Sequence, residues 1–124
     1  PIEEEASRIF KEFEEKKENI QGVTYFYFEP KYSIKGKISG ISLQKENFDK
    51  IFIFASPKGK ENISFSARNS SKRMNMAELL KAGIGDLEGA YGGHFAASGA
   101  MIKKEDLEKF KENLQEFLKK NPLK

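Results

Sequence analysis

Cysteine is absent from this chain of 124 residues, and histidine occurs once, as His94. The first absence removes disulfides, thiolate nucleophiles and cysteine-based zinc sites together. The second removes any metal centre that needs several imidazoles. Long hydrophobic runs are missing too: the longest, Val23–Phe28 and Ile51–Ala55, are far shorter than a membrane span needs. The chain opens Pro1-Ile2-Glu3-Glu4-Glu5, with acid where a secretory leader carries its apolar region, so the expectation is a cytoplasmic protein without membrane contact. Starting on Pro1 rather than Met, it reads as a processed start or a piece of a longer protein.

What is present is a core-forming composition. Hydrophobic residues make up 38% and include 11 Phe, which is too apolar for a disordered tail. The length suits one compact domain. Net charge is +3, but it is unevenly spread. Residues 1–20 hold seven acids and four bases, a net −3, whereas residues 31–81 hold eleven bases and four acids, a net +7. A basic middle suits a polyanion such as nucleic acid, although a solvated lysine surface produces the same count. Abundant Lys, Glu and Ile without Cys also hints at a thermophile.

Periodicity predicts the elements. Ile2, Ala6, Ile9, Phe10 and Phe13 fall at helical spacing, giving an amphipathic helix over 2–20 that Asn19 and Gly22 end. Val23–Phe28 is a β-branched and aromatic strand stopped by Pro30. Residues 34–43 read as a short helix. Ile51–Ala55 is a second strand, Pro57–Lys60 a turn, and Ile63, Phe65 and Ala67 alternate with polar residues as the return strand of a hairpin. Asn75 caps a helix through about Lys81. Residues 83–99 hold six of the ten glycines and read as a loop, followed by a short strand at Ala100–Ile102. A closing amphipathic helix, about Lys104 to Lys120, carries Leu107, Phe110, Leu114, Phe117 and Leu118 on one stripe. The expected fold is α/β: a small mixed β-sheet of about four to five strands flanked by helices, with amphipathic helices at both termini.

Several motifs fail. Gly83, Gly85 and Gly89 have the wrong spacing for a dinucleotide loop, and no strand leads directly into them. The sequons at Asn62 and Asn69 carry little weight without a secretory signal. Two segments remain. In Ser64-Phe65-Ser66-Ala67-Arg68-Asn69-Ser70-Ser71, an arginine at a strand end is surrounded by hydroxyls, and its guanidinium fork suits a phosphate or carboxylate. Lys72 and Arg73 extend that positive path. In Tyr91-Gly92-Gly93-His94-Phe95-Ala96-Ala97-Ser98-Gly99, paired glycines let backbone N–H groups approach an anion, and His94 adds a donor beside them. The alternatives are an exposed strand end with a surface ion pair, and a tight turn with one satisfied histidine.

At these two segments the sequence resembles the C-terminal DHH-associated domain of RecJ-like phosphoesterases, a family of single-strand exonucleases, oligoribonucleases and cyclic-dinucleotide hydrolases. The likeness runs from about Ile51 to Leu118 and extends back to Val23. It implies a connector over residues 1–22 and a substrate-binding domain over 23–124, together one compact unit. By position, Gly92, Gly93 and His94 match the substrate-binding loop, Ala96, Ala97 and Gly99 its packing floor, and Arg68 the phosphate-gripping arginine. Ser66 and Asn69 flank that arginine. Four residues depart from the pattern: Tyr91 for the first glycine, Phe95 for proline, Ser98 for alanine, and Asn69 for serine. Tyr91 makes the loop less open to phosphate but offers a ring on which a base could stack.

The resemblance further implies no cofactor in this chain, and manganese or magnesium in a separate N-terminal catalytic DHH domain, where the ions activate water. Alone, the chain is then expected to be inactive. Its expected partners are single-stranded DNA or RNA, or a nucleotide phosphate, together with that catalytic domain. A non-catalytic module that binds replication or repair proteins, and the substrate domain of a small-nucleotide or oligoribonucleotide phosphoesterase, stand as alternatives.

Overall fold

Strand β3 (Ile51–Lys58) and strand β4 (Asn62–Asn69) form the centre of the protein, because each offers β-branched and aromatic residues on both faces. They were placed in a computed structural model that describes residues 11, 15–27, 51–69 and 74–122. The short helix expected over residues 34–43 lies outside the described residues, as do Ser70, Ser71, Lys72 and Arg73.

The other elements are β1 (Glu18–Ile20), β2 (Val23–Tyr27), α1 (Met76–Ile84), β5 (Gly89–Gly93), β6 (Ala97–Lys103) and α2 (Leu107–Lys120), the last entered through a 3-10 turn at Lys104–Asp106. The six described strands form one sheet in the order β1-β2-β3-β4-β6-β5. Among the described residues only β2 and β3 run parallel, so the sheet is mixed, as expected, with one strand more than the upper expected count.

Alternation decides the two faces. Ile51, Ile53, Phe65 and Ala67 join Ala100 and Ile102 on one face, where Met76, Leu79 and Leu80 of α1 and Phe110, Leu114 and Leu118 of α2 cover them. Phe26, Phe52 and Phe54 fall on the opposite face and are also buried, with Phe52 and Phe54 stacked at 5.6 Å and 5°. Asn75 caps α1 as expected: its Oδ1 accepts from the backbone N–H of Ala77 at 2.9 Å and of Glu78 at 3.3 Å. Asn75→Ala is expected to cost about 1 kcal/mol, read as a lower midpoint in thermal or urea unfolding.

Three local expectations change. Lys11, Glu15 and Lys16 are helical, but the helix does not reach residue 20: Glu18–Ile20 pairs antiparallel with β2. Gln21 at φ 49° and Gly22 at φ 96° make the reversal, and the Asn19 side chain accepts from the Gly22 N–H at 2.9 Å. Three more residues at a helix end add little stability by themselves, whereas pairing Ile20 with Val23 extends a sheet. Lys111 of α2 secures this edge, 3.1 Å from the Glu18 carboxylate and 5.0 Å from the centre of the Tyr25 ring. Burial, and then the Glu18 charge, hold the Tyr25 phenol protonated well above the usual phenol range.

The second change concerns Pro57 and Lys58, which continue β3, so that the turn begins at Gly59. Among the described residues β2 pairs with β3 only as far as Ala55, so Pro57 has a strand partner on the β4 side alone, where proline is tolerated. The third is β5, five glycine-rich residues read as loop that form the outermost strand, with β6 longer than expected. Among the described residues no helix is long and apolar enough to cross a membrane.

Candidate nucleic-acid interface

The register places Ser66, Gly99 and Gly92 side by side across β4, β6 and β5. Partners in an antiparallel pair project to the same face, so these three form one row. Arg68 lies two residues along β4 from Ser66, on the same face, opposite Ala97 of β6. This is the face away from both helices. The row therefore makes a floor of small side chains with a guanidinium at one end. A Cβ added at Gly92 would meet nothing within 4 Å, and one at Gly99 would meet only the Phe65 carbonyl oxygen at 3.5 Å. The row is exposed at Gly92, half-buried at Gly99 and buried at Ser66, whose β3 partner Phe54 is buried too.

Arg68 is half-buried and commits Nη1 to the Ala67 carbonyl at 3.0 Å, one of the five donors a guanidinium carries. Ser66 is buried at 8% exposure. Asn69 stands where the resembled pattern has a serine. It is 2% exposed, and its Nδ2 donates to the Met74 carbonyl at 2.7 Å, tying the end of β4 to the segment that leads into α1. The sequence placed Asn69 among the binding residues; the structure gives its amide a structural partner.

The β5–β6 turn joins the two motifs. The Asn69 N–H donates to the Ala96 carbonyl and the Met76 N–H to the Phe95 carbonyl, both at 2.9 Å. Within the turn, the His94 N–H donates to the Ala97 carbonyl at 2.9 Å, and the Ser98 hydroxyl donates to the His94 carbonyl at 2.8 Å. His94 is thus exposed on a turn held by backbone bonds from β4, α1 and β6. Gly93 makes the turn possible: its φ is 132°, and a Cβ there would lie 2.5 Å from the Ser98 Cα.

Among the described residues, Gly92 and Gly93 sit in a strand paired on one side only, so alternate N–H groups of β5 point away from β6 at the edge of the sheet. Tyr91 pairs with Ala100, a residue of the helix-covered face, so alternation turns its 45%-exposed ring away from the Arg68 face. On the Arg68 face the exposed large apolar side chain is Met101, at 39% exposure. Met101 was missed in the sequence. Its signal is alternation along β6, legible only once that strand is known to begin at Ala97.

Among the described residues, a mixed sheet carries α1 and α2 on one face and a row of small residues with Arg68 beside it on the other. The family model described as the DHHA1 domain matches residues 19–120, and the chain belongs to that family. No curated protein is similar enough to match. Among solved structures, the chain is similar to RecJ in complex with Mg2+ from Thermus thermophilus, 13% identical with a TM-score of 0.71, covering 98% of this chain and 19% of that one. It is also similar to the pGpG-specific phosphodiesterase PggH from Vibrio cholerae, 23% identical with a TM-score of 0.61, covering 93% of this chain and 39% of that one. The C-Ala domain from Aquifex aeolicus alanyl-tRNA synthetase is 24% identical with a TM-score of 0.55, covering 81% of this chain and 98% of that one. The chain thus spans about a fifth of RecJ and two fifths of PggH. The fold is that of the DHH-associated domain the sequence resembled.

Proposed function

We propose that this chain is the nucleic-acid and phosphate-binding domain of a RecJ-like DHH-family nuclease. The observation that carries the proposal is the row Ser66, Gly99 and Gly92 with Arg68 beside it on one face, buried at Ser66 and exposed at Gly92. A phosphodiester can lie against that row because no side chain bulk stands above Gly92. The guanidinium supplies charge-assisted donors to its oxygens. His94, on the turn next to the end of β4, is the second donor beside the same end of the face, and Lys72 and Arg73 complete the proposed set of contacts.

The described residues do not fit a metal site: no three His, Asp or Glu side chains gather among them. In this proposal, manganese or magnesium chemistry belongs to a separate catalytic DHH domain. This chain's part is to hold the strand across from it.

Fluorescence anisotropy with a single-stranded oligonucleotide tests the proposal. Affinity is expected to fall as salt rises, and Arg68→Ala to weaken binding by about 1–3 kcal/mol. Binding that ignores both salt and Arg68 overturns it. Capture of a replication protein by a chain that binds no oligonucleotide would favour the protein-interaction alternative. Comparing a dinucleotide with an oligonucleotide separates the small-nucleotide reading, which the likeness to PggH supports at the level of fold.

A further inference from the structure

The Arg68 face does not end at Ser66. Followed back along β4, Ser64 pairs with Met101, and Asn62 pairs with Lys103 of β6 and Lys58 of β3. Each of these lies an even number of residues from Arg68 or opposite one that does, so all project to the same face. Beyond them the β3–β4 turn and the entry to α2 meet. The Lys104 N–H donates to the Glu61 carbonyl at 2.7 Å, fixing the two segments together. Lys60, Lys103 and Lys104, with Glu61 and Glu105, line a cavity of about 400 Å³ there. The face therefore has a cation at each end: Arg68 beside His94, and a lysine cluster at the far end, where Lys103 is half-buried and the others exposed. The rise along β4 from Asn62 to Arg68 separates the two ends by about 20 Å. Between them lie Ser64, Ser66, Gly99 and Met101, which are hydroxyl-bearing, small or apolar.

Resting on the proposal that this face binds phosphodiesters, we infer that the lysine cluster formed by Lys58, Lys60, Lys103 and Lys104 is a second phosphate site, engaged by a single-stranded polynucleotide that runs along β6 from the Arg68 end. A chain of phosphates engages both ends at once, and the second contact adds to the first as a tethered event rather than a fresh encounter. A dinucleotide is shorter than the track and reaches only one end. Met101, 39% exposed, gives the strand's bases an apolar surface midway.

The test compares two triple variants that remove equal charge. K60Q/K103Q/K104Q empties the far end, whereas K109Q/K119Q/K120Q removes three charges from α2, on the other side of the sheet. Each is assayed by anisotropy with a labelled oligothymidylate, a labelled oligouridylate and a labelled dinucleotide, after unfolding curves show that it folds. K60Q/K103Q/K104Q is expected to weaken oligonucleotide binding about tenfold and to reduce the log–log salt slope by about 0.7 for each phosphate that is no longer neutralised. It should leave the dinucleotide unchanged, and the α2 triple should leave both ligands unchanged. Equal losses from the two triples, or an unchanged oligonucleotide affinity in K60Q/K103Q/K104Q, would overturn the second site. Loss of Arg68 dependence alone, with the lysine effect intact, would overturn the phosphate-binding proposal at the other end. The two failures are therefore distinguishable.

Discussion

Phe110→Ala is expected to cost the fold about 3–5 kcal/mol, the largest loss of any single truncation in the helix-covered core. The Phe110 ring is fully buried and stacks on Phe65 of β4, with centroids 4.1 Å apart and planes at 15°. It is the contact through which α2 grips the sheet. Gly83 of α1 makes room for it, because a Cβ at that position would come within 2.6 Å of the ring. Removing the ring leaves a void bounded by a strand and two helices, none of which can collapse inward without disrupting its own packing. A domain stabilised by the usual 5–15 kcal/mol would then be close to its threshold. Urea unfolding followed by circular dichroism measures the loss. Phe110→Leu, which keeps most of the volume, should cost under about 2 kcal/mol; an alanine variant no worse than the leucine one would show that the stack does not anchor α2.

Gly93→Ala should be the second costly change, at roughly 3 kcal/mol, from backbone strain at a positive φ together with a side chain forced into its neighbour. The φ of 132° is open to glycine and strained for alanine, and the added Cβ would sit 2.5 Å from the Ser98 Cα and 2.6 Å from its Oγ. The Ser98 hydroxyl holds the His94 carbonyl, so the substitution disturbs the turn that presents His94 as well as the strand pair. Gly92→Ala is the matched control. Nothing lies within 4 Å of its added Cβ, and the residue is in a regular strand, so stability should change by less than about 0.5 kcal/mol. That methyl would nevertheless stand on the proposed binding floor. Thermal melts that rank Gly93→Ala well below Gly92→Ala, with reduced oligonucleotide affinity in the latter, are the expected result. Equal melts would show that the turn tolerates a side chain.

Much of this architecture is legible in the chain alone. The alternation of Ile63, Phe65 and Ala67, the cap at Asn75 and the stripe from Leu107 to Leu118 each state a local preference that tertiary packing reinforces. The illegible parts are those where local preference is weak or opposed. Glu18–Ile20 follows a helical pattern with no strong signal of its own, and β2 recruits it. Gly89–Gly93 has almost no side chains to show a period, so only its pairing with β6 makes it a strand.

The sequence by itself determined the two motifs, at Ser66–Asn69 and Gly92–His94, and through them the family, because residue types at fixed spacing are a property of the chain. Which of those residues lie together was decided only in three dimensions. Strand pairing brings Ser66 beside Gly99 and Gly92. The same pairing turns Tyr91 to the other face and puts Lys103 on the face of Arg68, while the Asn69 amide bonds the Met74 carbonyl. The physical reason is the two-residue period of a β-strand: a side chain's face is set by register with a partner distant in sequence, which no local pattern records.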